Sequence, residues 1–320
     1  MCYHEVRNYG FNHIIRRYSG FPWYLPLPAH MEHGWTPYDF ALKTDLKSDK
    51  PLMLVFNRRR EKIWKKESSM HVAIMGSPFI HYKNAKRLNK SPNASGTIAF
   101  PSHSIYEGES RFSVEKYCRL LNDLPAEFKP IKICLFYLDY ISPRAQIYKN
   151  AGFEVVTAGP KFTGSLDFAN RFYRHLLSCR YATSNSVGSY AFYAIDLDIP
   201  FFLWGDKPKL VDNKKDINIS KRKRRGESKL SRIARAIFST GPSKTISRRQ
   251  KDFVAEQMGV DACLTQEELH ILLKKTYKSN RYFRYIPVHL WSCALNKIIF
   301  DAPWTGWLVR LRAKWGKRAK

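Results

Sequence analysis

The sequence predicts an α/β protein: two Rossmann-like, doubly wound halves facing one cleft, followed by a basic amphipathic helical tail. Three observations support this. Short apolar runs alternate with helical stretches from Pro51 to Trp204, the pattern of parallel sheets covered by helices. Nearly every apolar run ends in Gly, Ser, His or Asp, the residues expected at ligand-binding carboxyl ends of strands. Cations then crowd into the last third of the chain.

The boundaries follow from the punctuation. Residues 1–127 form the first half, 128–210 the second, and 211–320 a basic linker and helical tail. With 320 residues and 44% hydrophobic content the chain has enough apolar surface for folded cores. Its formal charge of +28 implies anionic partners, whether nucleotide phosphates, nucleic acid or acidic lipid. From Asp206 to Lys320 there are 28 basic and 10 acidic residues, so +18 of that charge lies in 115 positions. The six cysteines show no CxxC or metal spacing and read as reduced thiols, which suits the cytoplasm. The first twenty residues lack the apolar stretch of a secretion signal, and no run of about 18 apolar residues suggests a membrane span.

In order along the chain, residues 1–28 are aromatic and basic and end in a Pro-punctuated extended segment, FPWYLPLP. PLMLVF (51–56) is a strand, followed by a charged helix from Asn57 to Glu67. HVAIM (71–75) is a strand delivering Gly76 and Ser77, and GTIAF (96–100) is one delivering Ser102, His103 and Ser104. A helix runs from Ser113 to Leu124, and the Pro-bounded segment 125–130 resets the pattern. IKICLFY (131–137) leads to Asp139, and a helix over 143–151 stops at Gly152. FEVVT (153–157) ends at Gly159, and 166–179 is a helix with Phe168, Phe172 and Leu176 on one face. A polar turn, Thr183-Ser184-Asn185-Ser186, then Gly188-Ser189, opens a helix to Leu197 and a strand from Pro200 to Trp204.

At that turn, free backbone N–H groups and the positive end of a helix dipole suit an anion, with serine hydroxyls as extra donors. The same residue types also suit plain helix capping. His33, followed by Gly34, is of the right type to take a proton from an acceptor hydroxyl, or is a surface-loop histidine. His103 follows a strand directly, so a rigid element would aim it into the cleft, where its protonated form neutralises a leaving phosphate. Glu107 would orient His103 or act as base. The Asp196-Leu197-Asp198 pair has D-x-D spacing but follows a helix immediately before Pro200 and reads as a solvated turn, not as the seat of a metal-held diphosphate, so a metal-independent reaction without a cofactor is expected.

The stretch SNSVGSYAFYAIDLDIPFFLWG (184–205) resembles the donor side of GT-B glycosyltransferases of bacterial surface polysaccharide (capsule, O-antigen) biosynthesis. In those enzymes a T/S-S-N-x-x-G-S turn, a helix and a P-x-x-x-x-G strand follow one another. The resemblance runs with gaps from about His30 to Gly205 and includes F-P-x-H-S at Phe100–Ser104 and the H-G pair at His33. It implies an acceptor-side first half, with His33, His103 and Glu107 catalytic. The second half then binds a nucleotide-sugar donor, and the acceptor is a lipid-linked glycan. Donor contacts would come from Gly76, Ser77, Ser102, Ser104, Asp139, Gly159, Thr183, Ser184, Asn185, Ser186, Gly188 and Ser189. Transfer of a polyol phosphate from a CDP-polyol is the neighbouring alternative.

KRKRR (221–225) and the Trp- and cation-rich segment 282–320 suggest a peripheral helix on the anionic inner face of the cell membrane. Nucleic acid is the competing partner for the basic block, in a non-enzymatic protein.

Overall fold

The computed structural model describes residues 8–46, 48–104, 108–161, 165–212 and 227–301. KRKRR and positions 302–320 of the basic tail therefore lie outside the described residues, as does Glu107.

Two all-parallel sheets form the frame. The first has three strands in the order β1-β2-β3: Ala29–Met31, Leu52–Val55 and His71–Ile74. The second has five. Its strands are β4 (Thr97–Ala99), β6 (Ile131–Cys134), β7 (Glu154–Val156), β8 (Tyr181–Ser184) and β9 (Phe201–Leu203). They lie in the order β7-β6-β4-β8-β9, the spatial order of a Rossmann sheet, with the direction of winding reversing between β4 and β8. A two-stranded antiparallel ribbon pairs β5 (Gly108–Arg111) with β10 (Lys209–Asp212).

Because β4 is the middle strand of the larger sheet, the division between sheets falls before Thr97 and not between residues 127 and 128. The Pro-rich segment 125–130 is a crossover within one sheet, with a short 3-10 turn at Ala126–Phe128.

The strands are short and apolar because both faces are covered. In β2, Leu52 and Leu54 enter the central core, while Met53 and Val55 pack on Trp64 at the outer face. In β9, Phe201 and Leu203 face the central core and Phe202 the opposite one, beside Tyr117, Leu121 and Tyr148. One central core runs from Met75 of the first sheet to Ile98 and Ala182 of the second, so the two sheets share a single apolar interior.

The helices between and around them start where the sequence signals a start. Asn57 caps α3 (Arg58–Glu67) and Ser113 caps α5 (Val114–Asn122), each accepting a backbone N–H three residues on. Several elements were not foreseen, among them both ribbon strands, the short helix α2 (Lys43–Leu46), and two longer helices and a strand of the first sheet. Helix α1 (Phe11–Ser19) lies between Gly10 and Gly20, both at positive φ, and buries Phe11, Ile14 and Ile15 at helical spacing. Helix α4 (Pro78–Lys86) uses Pro78 as its first residue. Strand β1 occupies Ala29–Met31, a segment assigned no element from the sequence.

The larger correction concerns the C-terminal third. Three capped helices follow the ribbon: α10 (Lys229–Phe238), α11 (Arg248–Met258) and α12 (Gln266–Ser279). They bury Phe238, Phe253, Met258, Leu269 and Leu273 in the central core. Residues 229–279 are thus part of the body of the fold rather than a tail. A final helix, α13, spans Ile286–Asp301. No helix among the described residues is long and apolar enough to cross a membrane.

Candidate functional site

A cavity of about 270 Å³ opens where the carboxyl ends of the strands converge. Its wall includes His33 and Gly34 after β1, Phe100 and His103 after β4, Leu135 and Phe136 after β6, and Gly159 after β7. Gly188 and Ser189, at the start of α9 (Ser189–Asp196), complete it. This is the position where the winding of the larger sheet reverses, and there the first loops of β4 and β8 part to leave a crevice.

The His33 loop is held from below by a buried ion pair. Glu32, fully buried, accepts from Arg60 Nε at 2.5 Å and from Trp64 Nε1 at 3.2 Å. From above, the Trp35 N–H donates to Ser189 Oγ at 3.1 Å, and Trp35 Nε1 donates to Gln257 Oε1 at 3.1 Å. The Trp35 ring meets Phe192 edge-on at 4.9 Å. Gly34 makes this turn at φ +63°, close to Ser189. The imidazole of His33 rests beside Tyr9, 5.5 Å between ring centres. Desolvation, with the positive charge of Lys161 adding to it, pushes its pKa down to about 4.

His103 is fixed by its own loop. Its Nδ1–H donates to the Ser104 carbonyl at 2.9 Å, and its ring lies 4.5 Å from that of Phe136. With Nδ1 carrying the proton, Nε2 of the neutral ring is left with its lone pair. Burial lowers the pKa, partly offset by the bond to Ser104 and the carboxylate of Asp139, and Lys161 lowers it further. Besides burial, positive charge on Lys161 or His103 disfavours protonation of His33.

Several anticipated residues support this loop without lining the cavity. Asp139 lies in the short helix α6 (Tyr137–Tyr140), accepts from the Ser104 N–H at 3.2 Å and pairs with Arg144. Arg144 in turn donates to the Ser110 carbonyl at 2.7 Å. The Asp139 pKa is raised by desolvation, against the pull of Arg144. The Ser102 N–H donates to Asn185 Oδ1 at 2.8 Å, and Ser102 Oγ accepts from Ser110 Oγ at 2.9 Å. Ser104 Oγ accepts from the Ser110 N–H.

The hydroxyl-rich turn is likewise spent inside the protein. Thr183 Oγ1 donates to the Phe202 carbonyl, and Ser184 Oγ to the Phe100 carbonyl at 2.6 Å. Ser184 and Ser186 both share hydrogen bonds with the Tyr190 hydroxyl, whose ring stacks on Phe100 at 4.9 Å. Gly188 and Ser189 alone of this turn face the cavity. No side chain caps α9, so the first turn of the helix, which lines the cavity at Gly188 and Ser189, has no side-chain acceptor for its N–H groups. Gly76 and Ser77 are placed elsewhere. They pack under the C-terminus of α11, where the Ser77 N–H donates to the Met258 carbonyl at 2.9 Å.

Tyr9, Phe168, Cys134 and Lys161 were not singled out from the sequence. Phe168 lay on a recognised apolar helix face and Cys134 at a strand end, so their positions were legible but not their use. Tyr9 and Lys161 meet through a backbone hydrogen bond between segments 152 residues apart, which no local pattern announces. Burial pushes the Cys134 thiol up to about 12, so it stays protonated. Among the described residues no group of three or more His, Cys, Asp or Glu side chains is arranged to hold a metal ion.

No protein-family model and no curated protein matches the chain.

Proposed function

We propose that the cavity turns over a nucleotide-linked sugar, transferring the sugar to a glycan hydroxyl as in GT-B glycosyltransferases. The observation that carries this reading is the convergence of His33, His103 and the uncapped start of α9 on one crevice at the sheet's reversal point. Binding of a diphosphate between them would reverse the electrostatics of the site. The anion raises the pKa of both imidazoles, which solvent exclusion and Lys161 otherwise hold down. His33, neutral before binding, takes the acceptor proton. His103 meets the departing phosphate through Nε2, and the helix start adds backbone donors. Asp139 and Ser104 act by positioning the His103 loop.

The test is nucleotide release from UDP-, GDP-, CMP-, CDP- and dTDP-linked donors by the purified chain. His103→Ala is expected to lower turnover roughly 10²–10⁴-fold with the fold intact. Unchanged turnover in that variant would remove the mechanism. Release of CMP with transfer of a polyol phosphate would assign the neighbouring phosphotransferase chemistry instead.

A further inference from the structure

Away from the cavity, two distant segments build one exposed aromatic surface. His289 Nε2–H donates to the Trp23 carbonyl at 2.8 Å, seating the 21–25 loop on the final helix α13. Around this junction Trp23 is 67% exposed, Tyr24 49%, Phe283 57% and Trp291 67%, with Val288 and Leu290 also exposed. Large apolar side chains this exposed, carried by two segments that a hydrogen bond joins, mark an interaction surface.

The two segments that carry it are free of acidic residues. Positions 269–300 contain no Asp or Glu, and neither do positions 6–31. Exposed Lys274, Lys275, Lys278, Arg281 and Arg284 adjoin the aromatics along the chain. A second copy of this chain would bring like charge against like charge, and so would the acid-free segment 302–320, with Arg310, Arg312 and Lys314. The complementary occupant is anionic and accepts tryptophan rings at its boundary, which describes the headgroup layer of an acidic bilayer.

We infer that Trp23 and Tyr24 together with Phe283–Trp291 form a docking face for an anionic lipid surface, ringed by the cations of the α12 end. Membrane attachment is thereby assigned to a face made by both ends of the described chain and not to a C-terminal tail alone. It holds whatever reaction the cavity performs.

The experiment is co-sedimentation of the full chain with phosphatidylcholine vesicles, with and without phosphatidylglycerol. Binding is expected only with phosphatidylglycerol present, weakening as salt rises. Trp23→Ser with Tyr24→Ser should weaken it roughly tenfold, because affinity follows buried apolar area. Lys278→Gln and Arg281→Gln should each weaken it roughly fivefold. Melting temperatures of the variants check that the fold is kept. No binding to the acidic vesicles, or wild-type binding by the Trp23/Tyr24 variant, would overturn the assignment, as would tighter binding to duplex DNA than to vesicles.

Discussion

The backbone N–H of Trp35 donates to the side chain of Ser189 at 3.1 Å, joining the loop after the first strand of one sheet to the first turn of a helix in the other. This bond spans the cavity wall between His33 and the start of α9. Ser189→Ala leaves that N–H without its acceptor. A loss of about 1 kcal/mol is expected, measured by urea unfolding. Donor turnover should fall more than stability suggests, while Ser189→Thr, which keeps the hydroxyl, should retain both.

The buried Glu32–Arg60 pair sets the base of the same loop. Arg60→Met strands a carboxylate in the core and takes donors from the Tyr38 and Phe40 carbonyls. Destabilisation of about 3–5 kcal/mol is expected. The double variant Arg60→Met with Glu32→Leu should recover much of it, because no unpaired charge remains. Chemical denaturation of the two variants side by side decides this.

His33 makes stability depend on pH in a defined direction. Its folded pKa of about 4 lies below the ordinary value of 6.5. Above 6.5 both states are neutral and the group contributes nothing. As pH falls from 6.5 toward 4, the unfolded chain takes up a proton that the folded one refuses, so stability drops. Below 4 the slope from this group ends. His33→Gln should flatten the decline between pH 7 and pH 4.5, measured as the difference in urea midpoint. An unchanged slope would place the ring in water.

Gly159 lines the cavity at φ +88°, and an added Cβ would lie 2.7 Å from the Arg171 guanidinium. Gly159→Ala is expected to cost about 1–2 kcal/mol in backbone strain. It should also displace Arg171 from the Ala158 carbonyl, to which its Nε donates. A calorimetric melt and nucleotide titration of the variant read the two effects separately.

The sequence was most informative where signals are local. Strand β2 and helix α3 were readable from the apolar run 51–56 and the charged stretch that opens at Asn57, and α9 from Gly188 before an apolar stretch. Helix α1 carries a local signal too, Phe11, Ile14 and Ile15 at helical spacing between two glycines, within a segment otherwise marked by its aromatic, basic and proline residues. The site was legible in part. His33, His103, Gly159, Gly188 and Ser189 share the cavity because strand ends of parallel sheets collect on one edge.

What remained was decided by contacts between segments far apart. Thr183, Ser184 and Ser186 carry the same hydroxyls whether they meet a phosphate or Phe100, Phe202 and Tyr190, and only packing chose the second. Gly76 and Ser77 end a strand like the others, yet α11 closes over them. The order of the alternation established an α/β chain with parallel strands. Which sheet Thr97–Ala99 joined, and whether residues 229–279 were tail or core, depended on pairing and burial against partners from a few tens to two hundred positions away. Periodicity reports which face of a segment is apolar; it carries no information about which other segment will cover that face.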